Sequence, residues 1–173
     1  MLPCARVDFK RYSHIMSTQT APSATKSNAV TSGLKTLLAD SYALMGQTHL
    51  AHWNVEGPNF FQLHVAFQAQ YEELFTAVDD LAERLRALDV LAIGGLATLA
   101  KESSISEMAC SAAPAKDFVA HLVDCHETVL STALGVRQAA EKAGDLETQD
   151  IVIARIQTHQ KTLWMLRSFL KNL

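Results

Sequence analysis

The 173-residue chain has few of the residues that break or cross-link a fold. It contains four prolines, seven glycines and three cysteines, while 49% of its residues are apolar. This composition argues against a largely disordered chain, and the length suits one folded, helical domain. Cys4, Cys110 and Cys125 are odd in number and show no CxxC spacing. We therefore expect reduced thiols in a cytoplasm-like compartment rather than a disulfide framework.

The chain also lacks a long apolar run. No stretch approaches the roughly 18 residues of a membrane-spanning helix, so we predict no membrane partner. The N-terminal segment has no apolar stretch followed by a cleavage site, which argues against a secretory signal. It is basic and rich in hydroxyl groups, which leaves an organellar transit peptide open, although Asp8 argues against one. We predict a cytoplasmic protein.

Positive charge is concentrated at the N-terminus. Residues Met1 to Gly33 carry a net charge of +3 against a total of -3, so the rest of the chain is acidic. We predict a flexible basic tail at residues 1–27, rich in Ser, Thr and Ala, and a folded domain at residues 28–173. Met16 is an alternative start. The residues available for DNA contact in this tail are Arg6, Lys10, Arg11 and Lys26.

The hydrophobic pattern predicts four long helices and one short helix. The first is expected from about Asn28 to Val55 and the second from about Phe60 to Leu88, separated by the breaker Gly57-Pro58. A short helix is expected at Leu96 to Lys101 within a long crossover. A third long helix starts near Ser111 as N-cap and ends at Gly144, and Asp145 to Thr148 open the fourth. Its inward face is expected to be Ile153, Ile156, Leu163, Leu166 and Leu170.

The second helix carries two neighbouring stripes. Its apolar face is expected to be Leu63, Phe67, Tyr71, Leu74, Val78, Leu81, Leu85 and Leu88. The stripe beside it contains His64, Gln68, Phe75, Asp79, Ala82 and Glu83. Imidazole and carboxylate groups on a half-apolar flank are costly to bury unless a partner satisfies them, and a metal ion would do so.

Helix geometry limits how these groups share one ion. The breaker at Glu56 to Asn59 brings His52 and His64 together at the tip of a helical hairpin. Asp79 and Glu83 lie one turn apart on one face. The separation of His64 and Asp79 along the helix is roughly 22 Å, whereas metal–ligand bonds are about 2 Å. If all four bind one ion, the carboxylates come from a second chain packed antiparallel, and a two-fold dimer makes two such sites.

The run from His52 to Glu83 contains HW, G, FF, LH, D and AER in a fixed order and spacing. It resembles the signature of the Dps mini-ferritins, the DNA-binding proteins from starved cells, and the similarity covers Asn28 to Leu173. The resemblance implies an all-α, ferritin-like four-helix bundle. The predicted connections, short between the first two and last two helices with one long crossover between the pairs, agree with that fold.

The resemblance also implies a function. It assigns His52 and His64 of one subunit, with Asp79 and Glu83 of its two-fold mate, to a ferroxidase centre in a hollow dodecamer. The shell would oxidise Fe(II), preferably with hydrogen peroxide, and store ferric iron. His52, Asp79 and Glu83 would hold the tighter iron and His64 the second one. Nucleoid binding through the basic tails, or a protective cage with impaired iron oxidation, are the alternatives.

The chain departs from the family at Gln68, where Asp or Glu is usual. An amide is a weaker ligand for a hard cation than a carboxylate, which puts the second iron position in doubt. His49 is expected to support the centre from outside it. Trp53 is open to two interpretations: it donates electrons to the oxidation, or it buries area at an interface.

Three further groups have alternative interpretations. Asp145 and Asp150 resemble acids that line the pores through which iron enters the shell, but acids also stabilise a helix N-terminus. His121, Cys125 and His126 suit a soft metal, although the absence of a further ligand cluster favours a structural role. Arg84 and Arg86, beside Glu83, are expected to form ion pairs between subunits. No histidine has Glu three residues before it, which argues against a di-iron site inside one bundle.

Overall fold

The structure is a computed structural model that describes residues 24–171, with side chains from residue 28 onward. This part of the chain is all-α and contains no strand, which confirms the predicted fold class. Its five helices are α1 (Ala24–Asn54), α2 (Phe60–Ala87), α3 (Leu96–Glu102), α4 (Ala115–Ala143) and α5 (Leu146–Leu170).

The four long helices form a bundle of two hairpins. α1 packs on α2, α4 packs on α5, and α1 joins the two hairpins by packing on α4, while α3 lies in the crossover and contacts α1. One continuous apolar core fills the bundle; its largest fully buried apolar side chains include Phe67, Phe118, Leu34, Leu37, Leu44, Leu74, Leu81, Leu85 and Leu122. The short hairpin turns and the single long crossover agree with the connections predicted from the sequence.

Glycine and proline set the helix ends. Gly144 ends α4 in the left-handed conformation at φ 73°, as predicted. α4 begins at Ala115, four residues after the predicted N-cap Ser111, because Pro114 is extended at ψ 148°. A proline also disfavours helical geometry in the residue before it, so the helix cannot start earlier. α1 begins at Ala24, and the predicted boundary between tail and domain therefore falls inside its first turn.

The inward face of α5 is confirmed at Ile156, Leu163 and Leu166, but not at Ile153. Ile153 is 37% exposed, whereas Thr148, Val152, Arg155 and His159 are buried. Polar partners inside the bundle make these inward positions acceptable for Arg155 and His159, as described below. The apolar pattern alone therefore misplaced Ile153 and left out the polar members of the buried stripe.

Asp40 anchors the long crossover. Its carboxylate is fully buried on α1 and accepts hydrogen bonds from Ser103 Oγ at 3.0 Å, the Ser104 backbone N–H at 2.6 Å and Thr132 Oγ1 at 2.8 Å. These bonds connect α1, the end of α3 and α4. None of the helices within residues 24–171 has the length and hydrophobicity that crossing a membrane requires.

Candidate metal centre

The α1–α2 hairpin brings His52 and His64 into direct contact. His52 lies in the last turn of α1 and His64 in the second turn of α2, and their rings stack with centroids 3.7 Å apart. Two hydrogen bonds hold the pair reciprocally. Nδ1 of His52 lies 2.8 Å from the backbone oxygen of His64, and Nδ1 of His64 lies 3.0 Å from the backbone oxygen of His52.

These bonds determine the tautomer of both rings. A backbone carbonyl can only accept a hydrogen bond, so each Nδ1 must carry the proton. In a neutral imidazole the other nitrogen, Nε2, then carries a lone pair. Metal-binding histidines commonly use this arrangement, in which one ring nitrogen donates to a carbonyl and the other faces the metal. The sequence-based expectation that the two imidazoles meet at the hairpin tip is confirmed.

An aromatic wall surrounds the histidine pair. His49 stacks on Trp53 at 5.2 Å and lies 4.2 Å from Tyr71, which in turn meets the edge of His52 at 5.2 Å. Burial, and then the proximity of His52, lowers the pKa of His49 below its ordinary value. Trp53 itself is 71% exposed. His49 therefore contacts the histidine pair through Tyr71. The sequence did not predict this contact, although Tyr71 lies on the predicted inward face of α2.

Asp79 and Glu83 lie away from the histidines, on the exposed surface of α2. Among the described residues, no three His, Cys, Asp or Glu side chains come together as a metal site within one chain. Along the helix, Asp79 lies roughly 22 Å and Glu83 roughly 28 Å from His64. The inter-subunit arrangement of the four residues stays a prediction.

The surface that carries the carboxylates is unusually apolar. Phe75 is 70% exposed and Leu96 is 76% exposed, and both line a cavity of about 420 Å³ that also includes Asp79. At the hairpin tip Phe61 and Val65 are 79% and 65% exposed. Large apolar side chains that stay exposed, such as Phe75 and Leu96 around one cavity, are typical of an interface with another protein surface.

Gln68 is engaged on the surface rather than with the histidines. Its Nε2 donates a hydrogen bond of 2.8 Å to the carboxylate of Glu72, one turn further along α2. Glu72 is exposed on the helix that also carries His64. The position that the family usually fills with a carboxylate is therefore an amide with a carboxylate neighbour.

Asp145 and Asp150 have different surroundings. Asp145 is 8% exposed; it caps α5 by accepting from the Thr148 N–H at 3.0 Å and the Thr148 hydroxyl at 2.7 Å, and it pairs with Arg84 at 2.7 Å. This confirms the helix-terminus interpretation of Asp145. Arg84 thus has an ion-pair partner in its own chain, while ion pairs of Arg84 and Arg86 between subunits stay a prediction. Asp150 is exposed, so it is the member of the pair whose carboxylate is free for a pore.

The structure supports a structural role for His121 and Cys125. His121 Nε2 lies 2.9 Å from Gln47 Oε1, which also accepts from the Met108 N–H, and it lies 3.4 Å from Cys125 Sγ. Burial, and then the nearby Asp124, raises the pKa of the Cys125 thiol to about 12. A protonated thiol beside a hydrogen-bonded imidazole is a poor soft-metal site.

His126 belongs to a separate network that sequence reasoning missed. Its Nδ1 lies 2.9 Å from Nδ1 of His159, whose Nε2 lies 3.2 Å from Arg155 Nη2, and Arg155 forms a two-pronged ion pair with Glu73. The network connects α4, α5 and α2 inside the bundle. The signal was present in the sequence, because His159 lies between the inward positions of Ile156 and Leu163.

The basic tail lies outside the described residues. Arg6, Lys10 and Arg11 precede residue 24, and Lys26 lies in the first turn of α1, where side chains are not described. Their role in DNA binding therefore stays a prediction.

Comparisons with known proteins agree on one family. The family model described as a ferritin-like domain matches residues 31–173. The DNA protection during starvation protein of Brevibacillus brevis is 34% identical over 78% of this chain and 89% of its own length. A Dps protein structure from Bacillus brevis is 32% identical with a TM-score of 0.82, covering 86% of this chain and 99% of that chain.

A Dps structure from Vibrio cholerae O1 is 28% identical with a TM-score of 0.81, covering 90% of this chain and 100% of that chain. That protein is described as a member of a broad superfamily of ferritin-like diiron-carboxylate proteins.

Proposed function

The chain belongs to the Dps mini-ferritins of the ferritin-like family, and from this premise we propose that it oxidises and stores iron at sites shared by two subunits. Fe(II) is the substrate. Each site takes His52 and His64 from one subunit and Asp79 and Glu83 from its two-fold mate, and the dimers assemble into a hollow shell, a dodecamer, in the cytoplasm. Removing free Fe(II) and peroxide together protects the cell and its DNA.

The histidine pair is the observation that carries this proposal. Two reciprocal Nδ1–H bonds to backbone oxygens are an arrangement that leaves both Nε2 atoms as metal ligands. A structural histidine pair needs no such matched tautomers, and a single chain supplies no third ligand within its described residues. We therefore expect the remaining ligands to come from a second subunit.

The exposed surface of α2 supplies the complementary half. Asp79 and Glu83 are one turn apart and exposed beside Phe75. Burial of that phenylalanine and of Leu96 against a second copy stabilises the dimer, while the bound metal offsets the cost of burying two carboxylates. An antiparallel two-fold contact presents each carboxylate pair to the partner's hairpin tip.

The reaction requires two irons and one peroxide. Two Fe(II) ions each lose one electron, the O–O bond of hydrogen peroxide takes both electrons and breaks, and two hydroxides form. Pairing the irons avoids the one-electron cleavage that releases a hydroxyl radical. The protein holds the irons with imidazole nitrogen and carboxylate oxygen, which suit iron in proteins.

Gln68 makes the site unequal. We expect one tightly bound Fe(II) per site and a second that binds weakly, because the amide replaces a negative oxygen ligand and is bonded to Glu72. Gln68→Asp should strengthen the second binding event in an anaerobic Fe(II) titration by about tenfold, the effect of roughly 1.4 kcal/mol. Gln62→Asp, one and a half turns away on the exposed surface, is the matched control and should leave both events unchanged. Identical titrations for the wild type and Gln68→Asp would refute this account of the second site.

The test of the proposed function is an anaerobic Fe(II) titration of the oligomer followed by a hydrogen peroxide pulse, with ferric absorbance recorded. His52→Ala and Asp79→Ala should each abolish fast oxidation. Mixed oligomers of the two variants should regain part of it, because a site between the two variants can combine an intact His52 with an intact Asp79. Slow oxidation that is indifferent to both variants would contradict the function, and failure of the mixture would contradict the sharing between subunits.

DNA binding is a second candidate, favoured by the names of the relatives and by the basic tail. Many weak tails displayed on one shell gain affinity through multivalency. The acidic body and the net charge of -3 oppose it. Deletion of residues 1–26 should abolish a gel shift at low salt if the tails bind DNA; a shift that survives the deletion would exclude them.

A further inference from the structure

A cavity of about 310 Å³ lies between α2, α4 and α5, away from the histidine pair of the candidate metal centre. Gln70 and Glu73 of α2, His126 of α4 and Met165 of α5 are among its walls. His126 is only 3% exposed, yet its Nε2 has no hydrogen-bond partner among the described residues. Oε1 of Gln70 is also buried and, within the same part of the chain, equally unpartnered.

The hydrogen-bond chain beside the cavity determines which atom donates. Arginine has no acceptor, so Nη2 of Arg155 donates and Nε2 of His159 accepts. A neutral His159 then carries its proton on Nδ1 and donates to Nδ1 of His126. The proton of His126 is therefore on Nε2. The cavity wall thus presents one unpartnered N–H donor and one unpartnered carbonyl acceptor, each costing about 1–3 kcal/mol if left unsatisfied.

Nε2 of His126 and Oε1 of Gln70 together determine which charge a ligand in the cavity can carry. A metal ion cannot bind Nε2 of His126 while that atom carries a proton. An anion between these two atoms would face the carbonyl oxygen of Gln70 and the carboxylate of Glu73, which is already paired with Arg155. Lys161 also lines the cavity, but it is exposed, so solvent screens its charge. A molecule that accepts one hydrogen bond and donates another satisfies both atoms without introducing charge into a buried region.

We propose that this cavity binds one small uncharged molecule with a hydroxyl group, either water or hydrogen peroxide. This molecule accepts a hydrogen bond from Nε2 of His126 and donates one to Oε1 of Gln70. Glu73 and Thr158 also line a neighbouring groove of about 660 Å³ that contains Glu83. The cavity therefore adjoins the surface that carries a ligand of the candidate metal centre. Only the relevance of peroxide rests on the proposed function; the binding itself does not.

The test uses crystals of the full-length, metal-free oligomer, with and without hydrogen peroxide. We expect density for one oxygen atom within hydrogen-bond distance of both His126 Nε2 and Gln70 Oε1, which peroxide converts to density for two bonded oxygens. If the density still fits a single oxygen atom after peroxide is added, the ligand is water, and only the binding of peroxide is overturned. A direct bond between His126 and Gln70, an ion, or no density would overturn the proposal.

Two variants provide a solution measurement. Gln70→Leu removes the acceptor while leaving the imidazole pair in place, and Gln62→Leu makes the same change at an exposed position of α2 that does not line the cavity. In oligomers labelled with ¹⁵N-histidine, the Nε2–H proton resonance of His126 should move in Gln70→Leu only, and peroxide should move it in the wild type but not in that variant. A resonance indifferent to Gln70→Leu would contradict the bridge, whether or not the oligomer oxidises iron.

Discussion

Acid should destabilise this fold through the two imidazoles buried in the bundle. Burial, followed by the nearby Arg155, lowers the pKa of His126 to about 3. Burial, followed by His126 and Arg155, lowers the pKa of His159 to about 2. The unfolded chain titrates both near 6.5. Between these values the unfolded chain binds more protons than the folded one, so stability falls as the pH falls.

The magnitude follows from this difference. At about pH 5 an unfolded histidine is almost fully protonated and its folded counterpart is neutral, which costs about 2 kcal/mol per imidazole relative to pH 7 and about 4 kcal/mol for the pair. The hydrogen-bond geometry of the two rings also predicts that protonation destabilises the fold. A second proton on His126 would place two N–H donors against each other at 2.9 Å. A second proton on His159 would sit on Nε2 and oppose the Arg155 Nη2 donor at 3.2 Å.

Denaturant unfolding at the two pH values, at one fixed oligomer concentration, measures the loss. The control is the double variant His126→Leu, His159→Leu, which removes both titrating groups and leaves Arg155 paired with Glu73. We expect the wild type to lose about 4 kcal/mol more than this variant, since the remaining titrating groups are common to both. Equal losses would refute the reasoning, as would titration of either imidazole in NMR spectra between pH 7 and 5.

Three substitutions test the packing that positions the site. Gly33→Ala should lower the melting temperature and cost about 1–3 kcal/mol of unfolding free energy, because the new Cβ would lie 2.9 Å from a methyl of Val136. The control Gly46→Ala meets nothing within 4 Å and should be neutral or stabilising. Asp145→Ala should cost about 2 kcal/mol through the lost helix cap, and equal thermal unfolding of the exposed control Asp150→Ala would contradict this role. Asp40→Ala should accelerate proteolysis within residues 88–114, and an unchanged cleavage rate would exclude its anchoring role.

The sequence by itself determined the helices and the apolar faces of the bundle. A period of 3.6 residues and the positions of Gly57, Gly144 and the prolines are local properties, so they predicted five helices with small errors at their ends. The meeting of His52 and His64 was also predictable, since both lie next to one short turn. The resemblance then supplied the family, which the comparisons confirm.

Only the tertiary structure decided which polar groups meet across the bundle. Glu73, His126 and the Arg155–His159 pair lie on three different helices, and their contact depends on the relative rotation of those helices, which no local pattern encodes. The same holds for the partners of Asp40 and for the pairing of Arg84 with Asp145. Periodicity says which side of a helix is buried. The tautomers of the paired imidazoles follow only once their partners have been brought within hydrogen-bond distance.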